Sequence, residues 1–573
     1  MTEKTLDLVF LWHMHQPDYR DHTTGEHVLP WVYLHALKDY TDMANHLERH
    51  PAVRAVINFV PVLLDQIEDY CQQFATGTFR SPLLRLLATL DLGGITPAER
   101  TMLLEDCFRC NHRTMLAPFP AFQRLYDLQE SLSRGGGGGL AYLSGDYFAD
   151  LLTWYHLAWT GETERNREPL IKQLMNQGSN FSYADRLALL ELMGKTLRNL
   201  IPRYRALAER GQIELSATPG THPLAPLLLD FSTARDTITD SPLPKAPGYP
   251  GGGERLQSHV AAAWTSHRQR FGQAPQGMWP AEGAVSTAAV RQMAGQGCRW
   301  LASGAGVLHN SLRNSSNAGI VGNLDAGANQ RAAYRPWSLA QAPGARLFFR
   351  DEHLSDLIGF EYARWHGRDA ARHFVAELEA ILSGSPPDEN PVVSVILDGE
   401  NAWEHYPYNG YFFFEDLYQL LENNHRLHPT TFAEILARPP ADQPVAGQLQ
   451  TLTAGSWVYG TLSTWIGDTE KNYAWDLLCQ AKASYDQVFA TSSLSDAARQ
   501  AAERQLAICE SSDWFWWFGD YNPAAAVGSF DQLYRRNLAN LYLCLGQPVP
   551  EQLALPISKG SQTAQDGTMR RVT

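Results

Sequence analysis

Seven short apolar runs, separated by longer segments with helical periodicity, constrain the fold of this chain more than any other feature. Runs of this length and composition are typical of strands that are buried on both faces. Strands that alternate with helices predict an α/β fold built on a parallel sheet or barrel. The seven predicted strands are Leu6–Trp12, Val53–Val60, Gln212–Ala217, Gln276–Trp279, Arg299–Ala302, Arg346–Phe349 and Val392–Leu397.

The uneven spacing of these runs predicts additional helical parts. About 150 residues separate the second and third runs, so we expect a largely helical insertion around 65–205 within a barrel domain of residues 1–424. Beyond about residue 425 the strand signal fades, and helical patterns predict a C-terminal helical domain over 425–557 that contributes to the cleft. Residues 558–573 are polar, and we expect this tail to be disordered.

Polar residues recur at or just past the ends of the predicted strands. The C-terminal ends of parallel barrel strands meet at one face, where active sites collect. The clearest case is Leu397-Asp398-Gly399-Glu400-Asn401, which places two carboxylates directly after the run Val392–Ile396. We therefore expect one shared cleft for the polar side chains at these positions, which are His13, His15, Asn58, Thr218, His222, Glu282, Arg350, Asp351, Asp398 and Glu400.

Glu282 and Asp398 are the strongest candidates for chemistry. They follow the fourth and seventh predicted strands, so their side chains can face each other across a sugar-sized gap. Glycoside cleavage requires one carboxyl group to protonate the leaving oxygen and one carboxylate to attack or to activate water. For any single acid at a strand end, the competing interpretation is a helix N-cap.

His13 and His15 end the first predicted strand, and alternation sends both to the same side. Two interpretations compete: they hydrogen-bond substrate hydroxyls, or they ligate a metal together with Asp398 or Glu400. One of them can also be a core histidine. A His-x-His pair alone is a weak metal signal, so we expect neither a metal nor a cofactor.

The bulk properties exclude several classes of function. A formal net charge of −14 argues against nucleic-acid and anionic-membrane binding, whereas a neutral sugar needs no basic surface. Met1–Asp7 lacks the apolar core of a signal peptide, and no run approaches the length of a membrane span. The seven scattered cysteines fit the reducing cytoplasm. The oligomeric state is not indicated.

Five short motifs occur in an order that is typical of one family. The chain resembles glycoside hydrolase family 57, whose members include α-amylases, amylopullulanases, 4-α-glucanotransferases and branching enzymes. The motifs span about 460 residues, and their agreement in order makes the resemblance specific. They are His15-Gln16-Pro17, Gly211–Pro223, Gly277–Gly283, Leu397–Asn401 and Thr464–Asp468, the last continuing to Asn472–Trp475.

The resemblance implies a seven-stranded β/α barrel followed by a helical domain, and a retaining double displacement on an α-glucan or maltooligosaccharide. Glu282 matches the family nucleophile and Asp398 its general acid/base. Retention implies that their carboxyl groups lie roughly 5–5.5 Å apart, whereas roughly 8 Å would indicate inversion. Residues in or beside the motifs that line the family's cleft are His13, His15, Glu214, His222, Trp279 and Asp468.

Further substrate-binding candidates come from the strand ends and the tryptophans. Arg350, Asp351 and Glu400 belong to the first group. Trp279, Trp403 and Trp465 are candidates for stacking on glucose rings, and for Trp403 packing in the core is an equal alternative.

Two segments resemble the amylopullulanase-like branch of the family more than the branching enzymes. They are Ser512–Asp520 and Phe349-Arg350-Asp351. The fourth motif of this chain, Leu397–Asn401, also differs from the fourth motif of the branching enzymes. We therefore expect a hydrolase of α-1,4 bonds, with α-1,6 bonds as a second target. The alternatives are a 4-α-glucanotransferase with the same residues, a metal-dependent carbohydrate hydrolase, and a glucan-binding homologue without catalysis.

Overall fold

The computed structural model describes residues 4–134, 138–317, 331–491 and 494–561. Seven parallel strands close into a barrel in the order β1-β2-β3-β4-β5-β7-β8, and β8 returns to β1. The predicted seven-stranded α/β barrel is therefore confirmed, and each predicted run overlaps one of its strands. The barrel strands are β1 Leu6–Met14, β2 Ala55–Phe59, β3 Ile213–Ala217, β4 Gly277–Met278, β5 Trp300–Gly304, β7 Ala342–Arg350 and β8 Val392–Asp398.

Three additional strands of three residues each extend the sheet, and the sequence pattern did not predict them. β6 (Trp337–Leu339) runs antiparallel to β7, and β10 (Gly447–Leu449) pairs with β6. β9 (Leu427–Pro429) pairs with the start of β1. The chain after residue 425 therefore returns to the sheet twice before the C-terminal helices begin.

The interior of the barrel divides into an apolar and a polar half. Side chains alternate along each strand, so Val9, Leu11 and His13 of β1 all point inward. The apolar part contains Val9 and Leu11 with Val56, Trp300 and other residues of a separate buried cluster. The polar part lies at the C-terminal ends, where His13 stands in register with both Asn58 and Asp398. Because of this division, the polar side chains at the C-terminal ends of the strands are the ones available for a reaction.

Helices surround the barrel and form the insertion and the C-terminal part. The four C-terminal helices pack on one another and reach over the polar end of the barrel through the short helix Asp513–Trp517. The α-helices are Trp31–His35, Thr41–Arg49, Pro61–Thr76, Pro82–Leu87, Pro97–Asp106, Pro120–Ser133, Gly145–Ala158, Glu162–Arg167, Pro169–Gln177, Tyr183–Glu209, Ala225–Leu229, Gly252–Phe271, Thr287–Gly295, Ala305–Asn317, Glu352–Asp356, Gly367–Gly384, Tyr411–Glu422, Phe432–Ala437, Thr469–Thr491, Asp496–Cys509, Asp513–Trp517 and Ala524–Cys544.

Three sequence expectations concern the chain as a whole. In the parts of the chain that the structure describes, no helix is both long and apolar enough to cross a membrane. All seven cysteines are unpaired, and four of them are buried. Of the predicted tail 558–573, residues 562–573 lie outside the described residues.

Candidate active site

A cavity of about 950 Å³ opens at the C-terminal ends of the barrel strands. Barrel residues form its floor together with Trp31 of the helix between β1 and β2, the helical insertion contributes Trp159, and the C-terminal helices contribute Asp513, Trp516 and Trp517. Three separate parts of the chain therefore build one site. Seven of the predicted site residues line this cavity: His13, His15, His222, Glu282, Arg350, Asp398 and Glu400.

Glu282 is held in an unusual backbone conformation. It follows β4 in the turn Ala281–Gly283, with φ 59° and ψ 20°, the left-handed region that costs an ordinary residue roughly 1–2 kcal/mol. The Trp457 N–H donates to the Glu282 carbonyl at 3.1 Å, and the Ser303 hydroxyl donates to the Gly283 carbonyl at 2.6 Å. These bonds hold the strained turn, and strain of this kind concentrates at functional sites.

Both oxygens of the Glu282 carboxyl group receive a hydrogen bond. The Ser512 hydroxyl donates to Oε1 at 2.9 Å, and the Trp457 indole N–H donates to Oε2 at 3.2 Å. Donors of this kind favour the charged form of a carboxyl group. The arrangement suits a carboxylate that must carry charge inside a buried site.

Asp398 is the last residue of β8 and lines the same cavity. Its Oδ2 accepts one hydrogen bond, from the Asn401 side chain at 2.8 Å. β4 and β8 are separated by β5 and β7 on one side and by β3, β2 and β1 on the other. The two carboxyl groups therefore approach the cavity from opposite sides of the barrel.

Burial dominates the electrostatics of this pair. Burial, with a smaller contribution from Asp513, raises the pKa of Glu282 to about 8. Burial also raises the pKa of Asp398 to about 6, although the hydrogen bond from Asn401 and the neighbouring His15 and Arg350 oppose the shift. Around pH 7 the pair therefore holds one proton and one negative charge, with the proton mainly on Glu282, so the form with charged Glu282 and protonated Asp398 that a nucleophile and an acid require is the minor arrangement of the same pair.

Three histidines form a cluster beside Glu282. His13 Nε2 lies 3.0 Å from His222 Nε2, and the His15 and His222 rings stack with centroids 3.8 Å apart. His15 Nε2 lies 2.9 Å from Asp513 Oδ2, which joins the barrel to the C-terminal helices. Burial lowers the pKa of His13 to about 3 and that of His222 well below its usual value, so both rings are neutral.

The histidine cluster also bears on the metal hypothesis. In the described part of the chain, His15, His222 and Asp513 form one group whose ligand atoms lie within 4.8 Å of one another. The lone pairs of an imidazole lie in the ring plane, and the planes of His15 and His222 are only 20° apart. Parallel lone pairs do not converge on one ion, and His13 and Ser512 already engage the two nitrogens of His222. These residues do not fit a zinc site.

Glu400 and Arg350 support the cavity from its floor. Glu400 Oε1 accepts from the His15 backbone N–H at 3.3 Å and from the Gln16 side chain at 3.1 Å, so it fixes the turn after β1. Burial and the neighbouring Asp398 raise the pKa of Glu400 well above its usual value. The Arg350 guanidinium donates to the Ile396 carbonyl at 2.8 Å and to Asp356 at 3.0 Å.

Comparison with known proteins gives a family. The model of glycosyl hydrolase family 57 matches residues 9–445, which is most of the chain. The chain belongs to glycosyl hydrolase family 57. It is therefore an enzyme that acts on glycosidic bonds, and the predicted family is confirmed.

Solved structures of the family share the fold at low sequence identity. The branching enzyme of Thermococcus kodakaraensis, in complex with glucose, is 15% identical, covers 95% of this chain and 89% of its own, and has a TM-score of 0.55. The α-amylase of Thermotoga maritima is 14% identical, covers 96% of both chains and has a TM-score of 0.53. The 4-α-glucanotransferase of Thermococcus litoralis is 12% identical, the match covers 94% of this chain and 60% of that chain, and the TM-score is 0.51.

Three predicted substrate-binding acids do not line the cavity, two of them from the family 57 motifs and one, Asp351, from a strand end. Glu214 points into the barrel near the opposite end, where it accepts from Trp300 Nε1 at 2.7 Å and the Ala433 N–H at 2.9 Å. Asp351 caps the helix Glu352–Asp356 by accepting from Leu354 N–H. Asp468 accepts from the Glu470 N–H at the start of the helix Thr469–Thr491.

The three tryptophans expected to stack on glucose rings are also outside the cavity. Trp403 is 1% exposed and packs against Trp12 and Phe414, so the core alternative holds. Trp279 is fully buried inside the barrel, and Trp465 is fully buried behind Trp516. Large apolar rings bury readily, and a place in a motif does not bring them to a surface.

Several residues in or beside the cavity were missed as site residues by the sequence analysis. Ser512 and Asp513 contact Glu282 and His15, and Trp457 contacts both Glu282 and Arg350. The available signal was the aromatic run Asp513-Trp514-Phe515-Trp516-Trp517, which sequence reasoning used only for the branch of the family. Trp31 and Trp159 of the cavity wall carried no local signal.

Proposed function

We propose that the chain is a retaining hydrolase of α-glucans that cleaves α-1,4 glucosidic bonds of maltooligosaccharide, glycogen or starch by double displacement. Glu282 is the nucleophile and Asp398 the general acid/base. The observation that carries this proposal is the convergence of these two carboxyl groups on one cavity, with a hydrogen-bond donor on each oxygen of Glu282.

In the first step the Glu282 carboxylate attacks the anomeric carbon while Asp398 donates its proton to the departing glycosidic oxygen. A glycosyl ester forms on Glu282, and the aglycone leaves with the proton. The Ser512 and Trp457 donors hold the Glu282 oxygens in place, and the left-handed backbone of Glu282 directs its side chain into the cavity.

In the second step Asp398 takes a proton from a water molecule, which attacks the same carbon and releases Glu282. Two inversions give net retention. Asp398 thus alternates between acid and base, and a pKa raised by burial to about 6 suits both roles near neutral pH.

The walls of the cavity support a sugar substrate. Trp31, Trp457, Trp516 and Trp517 line it, and aromatic faces of this kind stack on the apolar faces of sugar rings. The structural neighbours include a branching enzyme, an α-amylase and a 4-α-glucanotransferase, which supports an α-glucan as substrate. The amylopullulanase-like branch, activity on α-1,6 bonds and a cytoplasmic location are part of the proposal; the unpaired cysteines support the last.

The decisive experiment combines a variant with a product profile. Glu282→Gln should lower turnover of maltoheptaose by on the order of 10⁴-fold or more and leave oligosaccharide binding intact. Glu214→Gln is the matched control, because the same change at the other end of the barrel should leave turnover within about twofold.

The products separate hydrolysis from its alternatives. Only sugars shorter than maltoheptaose indicate a hydrolase, whereas a ladder above the starting length indicates a 4-α-glucanotransferase that uses the same residues. Binding without any released sugar would identify a non-catalytic homologue. Wild-type turnover in Glu282→Gln would refute the nucleophile.

A further inference from the structure

A continuous row of buried polar side chains runs from the barrel interior to Glu282. The Asn58 amide, through the atom placed as Oδ1, lies 2.7 Å from His13 Nδ1, and His13 Nε2 lies 3.0 Å from His222 Nε2. His222 Nδ1 lies 2.8 Å from Ser512 Oγ, which lies 2.9 Å from Glu282 Oε1. The row joins three barrel strands and the C-terminal helices to one oxygen of the nucleophile.

Each link of this row has one proton to share, so the links are coupled. A neutral imidazole donates through one nitrogen and accepts through the other. His13 and His222 are both neutral, because burial lowers the pKa of each. A hydroxyl such as that of Ser512 has a single proton to donate. The direction of any one link therefore sets the direction of the whole row.

Thr218 sets that direction at the inner end. Its Oγ lies 2.7 Å from the Trp279 carbonyl oxygen and 2.8 Å from the Asn58 amide. A carbonyl oxygen only accepts, so the Thr218 proton goes to Trp279. As placed, Asn58 Oδ1 faces Thr218 Oγ and His13 Nδ1, which would bring two acceptors into contact once the Thr218 proton is on Trp279. Exchanging the two ends of the amide removes this conflict, so we assign the NH₂ group of Asn58 to the side of Thr218 and His13. The other end of the amide, placed as Nδ2 at 2.9 Å from Ser216 Oγ, is then the oxygen and accepts from the Ser216 hydroxyl.

We infer that these side chains form a directed hydrogen-bond relay that ends on Glu282 and stabilises its carboxylate. Asn58 donates to His13 Nδ1, and His13 Nε2–H donates to His222. His222 Nδ1–H donates to Ser512, and the Ser512 hydroxyl is thereby turned toward Glu282 Oε1. The role of the carboxylate rests on the proposed function, whereas the direction of the relay does not.

The relay acts against the other charges around Glu282. Burial disfavours the charged form of Glu282, and the neighbouring carboxyl groups of Asp513 and Asp398 disfavour it further. His222 lies 3.8 Å from Glu282 Oε1 but is neutral, and Trp457 supplies the one donor on Oε2. A relay of opposite direction would turn the Ser512 proton toward His222 and leave Oε1 without its donor, which would favour protonated Glu282.

The first test is the position of protons in the unaltered protein. Neutron diffraction of deuterium-exchanged crystals at pH 7 should show deuterium on His13 Nε2 and His222 Nδ1, with His13 Nδ1 and His222 Nε2 bare. Deuterium on His13 Nδ1 together with His222 Nε2 would overturn the relay, and so would a doubly protonated ring. This result is independent of whether Glu282 is the nucleophile.

The second test is kinetic. Ser512→Ala should lower the maximal kcat/KM by about 10- to 150-fold, the range for a hydrogen bond to a charged group. It should also move the limb of the pH profile set by Glu282, near pH 8, to higher pH. Ser512→Thr keeps the hydroxyl and should restore most of both values.

The two tests fail separately from the proposed function. An unchanged pH profile in Ser512→Ala would contradict the relay, even if Glu282→Gln is inactive. Full activity of Glu282→Gln would contradict the proposed function, and the tautomers of His13 and His222 would still report whether the relay exists.

Discussion

Trp457→Phe removes one of the two hydrogen bonds on Glu282 while it keeps an aromatic ring in place. Trp457 Nε1 donates to Glu282 Oε2 at 3.2 Å, and its ring packs edge-on against Trp279 with centroids 5.2 Å apart. Phe retains the packing but has no N–H. The variant therefore isolates the contribution of one donor to the charge on the nucleophile.

The expected magnitude follows from the geometry. Hydrogen bonds to charged groups contribute about 1.5–3 kcal/mol, and a donor at 3.2 Å lies at the long end of the usual range, so we expect about 1.5 kcal/mol. That energy corresponds to about tenfold in rate and about one pKa unit. Because the donor stabilises the charged form, its loss raises the pKa of Glu282.

The assay is the pH profile of kcat/KM on a maltooligosaccharide. In Trp457→Phe the maximum should fall about tenfold, and the limb set by Glu282 should move from near pH 8 toward pH 9, while the limb near pH 6 set by Asp398 stays. Trp365→Phe, at an exposed tryptophan outside the cavity, is the control. An unchanged profile, or a limb that moves to lower pH, would refute the reasoning.

Three further predictions concern the pair and its surroundings. The kcat/KM profile of the unaltered enzyme should be bell-shaped and fall to about one tenth of its maximum by pH 5 and pH 9, because both carboxyl groups are protonated below about pH 6 and both are ionised above about pH 8; a monotonic profile would count against the pair. Glu214→Gln should lower the free energy of unfolding in urea by about 1–3 kcal/mol, because an amide NH₂ replaces an oxygen that accepts from Trp300 or Ala433; a raised KM with unchanged stability would return Glu214 to the substrate. Activity should survive a metal chelator, because the stacked rings of His15 and His222 do not converge on an ion; a loss that zinc restores would contradict this.

The barrel was predictable because strands that are buried on both faces consist of recognisable apolar runs. Parallel strands enclosed by helices are apolar throughout, so runs such as Val392–Leu397 stand out. The strands β6, β9 and β10 have only three residues each, too few for any periodicity to show.

The site was predictable where a residue's position along a strand decides its place. Glu282 and Asp398 follow strand ends and reach the cavity. Glu214 also points into the barrel, but it lies four residues before Thr218, and at about 3.3 Å per residue this places it in the apolar half. A side chain that points into the barrel can therefore lie in the apolar half or at the cavity, and its position along the strand decides between them.

The remaining site residues depend on tertiary docking. Ser512 lies 230 positions after Glu282 in the sequence, and the two meet only because the C-terminal helices cover the barrel. Buried ion pairs hold that contact, among them Arg255 and His259 with Glu510, two residues before Ser512. No local pattern reports such a contact, whereas Asp351 and Asp468 satisfied a purely local need for helix caps.

The most direct test of the account is to trap the covalent intermediate. A fluorinated α-glucosyl fluoride slows the second step more than the first, so the glycosyl ester should accumulate and survive digestion for mass spectrometry. We predict one added sugar on the peptide that contains Glu282, and products that keep the α-configuration. A sugar on Asp398, or a β-configured product without any adduct, would contradict the assignment of Glu282 as the nucleophile.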